Sequence, residues 1–163
     1  MKKRINISVF LLFGILLLSA CKPEVGQLSQ VTKTIVFPGV EHAPMQIHYK
    51  ANILLNKSVI VKQLSIKNNQ VIDVTDYKLF SLKSHTYIDV SKVIPKGDYR
   101  LLIILPETPE LSKSEDTLVI QFQLPKSEKV YTISQKVKLT EPEMRPRYFV
   151  NFLGINKNFC LYI

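Results

Sequence analysis

The chain has 163 residues, 46% of them apolar and 21% charged, and 22 basic side chains against 13 acidic ones give a formal net charge of +9. This length and apolar content suit one domain with a real core and argue against a disordered chain. The positive excess does not suggest a nucleic-acid reader, because four arginines and no tryptophan leave little of the guanidinium and aromatic chemistry such readers use.

The first 21 residues have the layout of a secretory leader. Lys2, Lys3 and Arg4 make a positive start, Ile7 to Leu18 an apolar core, and Ser19 and Ala20 a small-residue cleavage site. The apolar run is about twelve residues, short of the roughly twenty that a spanning helix needs. Removing the leader's three cations lowers the net charge to +6. The remaining lysines are scattered along the chain. They read as solvated side chains on outward strand faces and edges rather than as a face for anionic lipid or glycan.

Leu18-Ser19-Ala20-Cys21 resembles the lipobox of bacterial lipoproteins, a motif specific when it directly follows such an apolar core. The resemblance covers these 21 residues alone. It implies that Cys21 takes a diacylglycerol on its sulfur and becomes the first residue of the mature protein. Thiolate nucleophilicity suits cysteine to that thioether. Each buried methylene contributes about 0.8 kcal/mol, so two or three acyl chains hold the protein on a membrane. Lys22 is not the aspartate that keeps similar lipoproteins of enteric bacteria in the inner membrane. The expected location is therefore the cell envelope, at the outer membrane facing the periplasm if the host is Gram-negative.

The expected organisation is a signal peptide over 1–20, lipidated Cys21 with a tether to residue 30, and a β-sandwich over 31–163. Residues 22–30 lack alternation and so read as tether. From 31 onward the apolar period is two. In 45–55 the odd positions Met45, Ile47, Tyr49, Ala51, Ile53 and Leu55 are apolar. Leu118, Ile120, Phe122 and Leu124 repeat the pattern, as do Tyr131, Ile133, Val137 and Leu139. Such alternation marks strands with one face on a core. Further strands are expected over 31–37, 58–66, 70–82, 86–90, 98–105, 147–153 and 159–163. Turn chemistry separates them at Asn68-Asn69, Lys96-Gly97-Asp98, 106–109, 125–127 and 142–146. No helical period persists over three turns. The fold class is all-β, an antiparallel sandwich of about seven to ten strands.

Pro95-Lys96-Gly97-Asp98-Tyr99, followed by Arg100-Leu101-Leu102-Ile103-Ile104, resembles the tyrosine corner of fibronectin type III and other immunoglobulin-like domains. The resemblance implies that the Tyr99 hydroxyl bonds to upstream backbone and that a central strand follows, and the dense apolar run after Tyr99 fits burial of that strand on both faces. The strands after 116 exceed the simplest seven-strand plan.

Chemistry is sparse. His42, Met45 and His48 form the one cluster with copper-ligand character, since thioether suits Cu(I) and imidazole either oxidation state. Met45 and His48 are three apart, however, which puts them on opposite faces of a strand, and Met45 shares the core parity of Ile47. No metal or other cofactor is expected. Asp73 with Asp76, and Glu107, Glu110 and Glu115, read as solvated turn acids rather than paired catalytic carboxylates. No Gly-x-Ser-x-Gly elbow or phosphate-cradling glycine loop occurs. Cys160, left without a partner if Cys21 is acylated, reads as a small buried apolar residue. An enzyme is disfavoured.

Loops 106–115 and 140–147 are the longest. The second carries Met144, Arg145 and Arg147, whose stiff proline-flanked backbone and guanidinium groups suit a partner surface. The expected function is a lipid-anchored β-sandwich that binds another envelope protein of a secretion, pilus or envelope-assembly system. The alternatives are a periplasmic small-ligand or copper-binding lipoprotein, and an inhibitor or immunity lipoprotein.

Overall fold

A computed structural model describes residues 25–39, 42–113 and 115–144. The expected strands over 147–153 and 159–163 lie outside the described residues, as do the leader, Cys21, Arg145, Arg147 and Cys160. The strands are β1 (Gly26–Phe37), β2 (Gln46–Leu55), β3 (Ile60–Lys67), β4 (Val71–Asp73), β5 (Tyr77–Ser81), β6 (Thr86–Ile88) and β7 (Gly97–Pro106). A one-turn helix, α1 (Pro109–Lys113), precedes β8 (Thr117–Gln123), β9 (Val130–Lys136), β10 (Lys138–Leu139) and β11 (Glu143–Met144).

The strands form two sheets. One runs β10-β1-β2-β7-β5-β6, with β11 also on β1, and the other runs β4-β3-β8-β9. Without the four strands of two or three residues, the orders are β1-β2-β7-β5 and β3-β8-β9, the A-B-E-D and C-F-G layout of an immunoglobulin-like sandwich. The strands after 116 therefore complete the seven-strand plan instead of exceeding it: β8 and β9 take the F and G places.

Alternation builds the core. Ile47, Tyr49, Ala51, Ile53 and Leu55 of β2 face inward and are buried, as are Leu118, Ile120 and Phe122 of β8. Met45 departs from its expected core place: it is 39% exposed, because it precedes β2 and the inward row starts at Ile47. The central strand β7 is buried on one face only. Leu101 and Ile103 are covered, but Ile104 on the other row is 38% exposed.

The fold starts earlier than the expected tether end. Val25 is buried, its carbonyl accepts from Asn56 N at 2.8 Å, and β1 runs from Gly26. A bulge hides this from the alternation. The β1–β2 register shifts between Ser29 and Thr32, and Gln30 takes a positive φ of 50°. Inward parity thus changes from even at Leu28 to odd at Val31.

The segment expected as one strand over 70–82 is two. β4 pairs with β3 and β5 with β7, so the chain changes sheets between them, and Val74 N donates to Leu64 O on the way. The tyrosine corner has the expected bond: Tyr99 OH donates to Pro95 O at 2.7 Å. It opens β7, in the E place, whereas the immunoglobulin-type corner enters strand F.

Candidate functional site

Two arrangements gather polar side chains. The first is buried. Lys33, which parity places with Val31 on the inward row of β1, sends Nζ to Asp116 Oδ2 and to Leu111 O, each at 2.7 Å. Tyr49 OH, from β2, donates to the same Oδ2 at 2.7 Å. The side chains of Lys33 and Asp116 are 3% and 0% exposed. The Tyr49 phenol is pushed far above its ordinary range, first by burial and then by its bond to, and the charge of, Asp116. Removing two ions from water costs several kcal/mol each, so such a pair is tolerated only when its remaining valences are also bonded. Here they are: among the described residues no buried side-chain nitrogen or oxygen lacks a partner.

Backbone bonds extend this cluster. Lys33 O accepts from Thr140 N at 2.8 Å and from Thr140 Oγ1 at 3.0 Å, and Asp116 O accepts from Val137 N at 2.9 Å. One lysine thereby fastens α1, the entry to β8 and the β10–β11 segment onto β1. Lys33 is thus a correction to the reading of the lysines as solvated: it is a core ion. A lysine sharing parity with Val31 and Ile35 was its sequence signal. Asp116, just before β8, carried none.

The second arrangement is an open trough of about 700 Å³ on the outward side of the larger sheet. Lys50 and Arg100 line it from the outward rows of β2 and β7, and Lys136 and Lys138 border it from beyond β1. Within it Asn52 Nδ2 donates to Gln30 Oε1 at 2.7 Å, at the β1 bulge. None of its lining residues is acidic or a histidine, serine or cysteine. Guanidinium and ammonium groups without a nearby carboxylate suit the binding of an anionic surface. Glu115 lies 4.0 Å from Lys136 at the border, and both are exposed.

The residues singled out from sequence fall elsewhere. His42 is exposed in the β1–β2 connection. His48 is 6% exposed on the outward row of β2, in register with Thr34 and Ile104, and its Nε2 lies 3.2 Å from Gln46 Oε1. Among the described residues no three His, Cys, Asp or Glu side chains are grouped to hold a metal ion. Asp73 Oδ1 accepts from Gln63 Nε2 at 2.6 Å, Asp76 is exposed, and Glu110 stands in the first turn of α1. Met144 is 81% exposed on β11, paired with Phe37 of β1.

Neither a family model, nor a curated protein, nor a solved structure matches this chain.

Proposed function

We propose that this protein is a lipid-anchored component of a bacterial envelope whose immunoglobulin-like sandwich binds another envelope protein. The observation that carries the anchor is Leu18-Ser19-Ala20-Cys21 directly after a short apolar core. The trough supports the binding role. Its cations stand on the outward side of the larger sheet, and Lys50 and Arg100 are fixed there by two central strands. Rigid strands present a recognition surface at low entropic cost. The partner surface is acidic by complementarity. Exposed Met144 extends the contact along the β11 edge, and Arg145 and Arg147, outside the described residues, belong to the same proposal. Outer-membrane location in a Gram-negative host belongs to the same proposal.

The test is affinity capture of the lipidated protein from solubilised membranes, with mass-spectrometric identification, beside a Lys50→Glu/Arg100→Glu variant. A partner recovered with the wild type and lost with the variant supports the reading. Equal recovery of the same proteins with both removes the trough from it.

A further inference from the structure

The five lysines 57, 83, 96, 126 and 129 span more than seventy residues of sequence, yet the topology gathers them at one end of the sandwich. Gly26, Leu55 and Gly97 lie side by side in register, so the start of β1, the β2–β3 connection with Lys57, and the entry to β7 with Lys96 share that end. Ser81 pairs with Tyr99, which brings the β5–β6 turn and Lys83 there. Ile60 pairs with Gln123, and Gln123 with Val130, which adds the β8–β9 connection with Lys126 and Lys129. The Val59–Ile94 bridge closes the same end. All five lysines are exposed; among the described residues of these connections Asp98 and Glu128 stand with them, and Asp89 pairs with Lys92 at 3.1 Å. The opposite end carries Glu107, Glu110, Glu115, Glu141 and Glu143, against Lys67, Lys113 and Lys136.

The chain also enters the fold at the lysine end. Residues 22–24 alone separate Cys21 from buried Val25, a reach of at most about 14 Å. We infer that the lysine-bearing end is a membrane-contact surface that rests on anionic phospholipid headgroups and stands the sandwich upright, acidic end outward. This rests on the lipid anchor proposed above. An acylated Cys21 keeps this end of the sandwich near the headgroups, whose attraction for cations decays over a Debye length of about 8–10 Å at moderate salt. Exposed Leu54, Val93 and Val130 at the same end add apolar contact with the interface.

The experiment reconstitutes the purified, lipidated protein into vesicles of phosphatidylcholine alone or mixed with phosphatidylglycerol. A membrane-impermeant amine reagent then labels the lysines, and peptide masses give the rate at each. The expected result is labelling of Lys57, Lys83, Lys96, Lys126 and Lys129 slowed about fivefold by phosphatidylglycerol, the Boltzmann equivalent of one lysine's attraction to an anionic leaflet. High salt restores the rate, while Lys67 and Lys136, both paired with Thr117 at the far end, do not change. Equal rates in both vesicles, with acylated Cys21 and the protein floating with the lipid, overturn the inference and leave the anchor standing. A Cys21 peptide without acyl mass overturns both.

Discussion

Lys33 Nζ lies 2.7 Å from Asp116 Oδ2, a buried bond that ties β1 of one sheet to the segment entering β8 of the other. Leaving either ion alone in the core costs about 3–5 kcal/mol. Lys33→Ala and Asp116→Ala should each lose that much in urea unfolding followed by circular dichroism. Replacing both together, Lys33→Met with Asp116→Leu, should cost less than either single change, because no uncompensated charge remains. Additive losses would show that the two side chains are not coupled.

Tyr49 gives the pair a pH dependence of known sign. Its folded pKa is raised, so its contribution is fully present below the unfolded value of about 10 and is lost as pH climbs beyond it. At neutral pH Tyr49→Phe should cost about 1.5–3 kcal/mol, the range for a hydrogen bond to a charged group. That difference should shrink in unfolding curves taken progressively above about pH 10. A constant difference across this range would remove Tyr49 ionisation from the account.

The hydroxyl bond from Tyr99 to Pro95 O fixes the turn into β7. Tyr99→Phe should lower stability by about 1 kcal/mol, with the larger part in a faster unfolding rate if the corner forms late. Stopped-flow unfolding measures both quantities.

Gly26 admits no side chain. A Cβ there would sit 2.7 Å from Leu54 O and 3.0 Å from Leu55 Cδ2. Gly26→Ala should therefore push β1 from β2 at the end where the chain enters, with a loss of about 1–3 kcal/mol. Amide exchange should accelerate over 25–29 and 52–56 first, and unchanged exchange there would contradict the packing.

Much of the sandwich was legible because period-two alternation is a local property. Ile47 to Leu55 and Leu118 to Phe122 alternate in the sequence and bury the same rows in the fold. The tyrosine corner was legible for the same reason, since Pro95 and Tyr99 are four residues apart. What local patterning could not carry was parity across a defect and pairing at long range. The bulge at Gln30 broke alternation in β1 and made five strand residues read as tether. Lys33 and Asp116 are 83 residues apart and meet only when the two sheets close. The trough and the lysine-bearing end are likewise products of register. Lys50 and Arg100 line one trough because β2 lies against β7, and Lys57 and Lys126 share one end because β3 pairs with β8. By contrast, His42, Met45 and His48 stand close in sequence, but the structure leaves the first two in an exposed connection and the third buried on a strand.

The central claim, that this sandwich is held on a membrane through Cys21, is tested most directly by metabolic labelling with palmitate. Wild type and Cys21→Ser are labelled in the native host and their membranes fractionated. The account predicts label on the wild type alone, in the outer-membrane fraction where the host has one, with the serine variant unlabelled. Absence of label from both, with the wild type recovered free of the membrane, would contradict it.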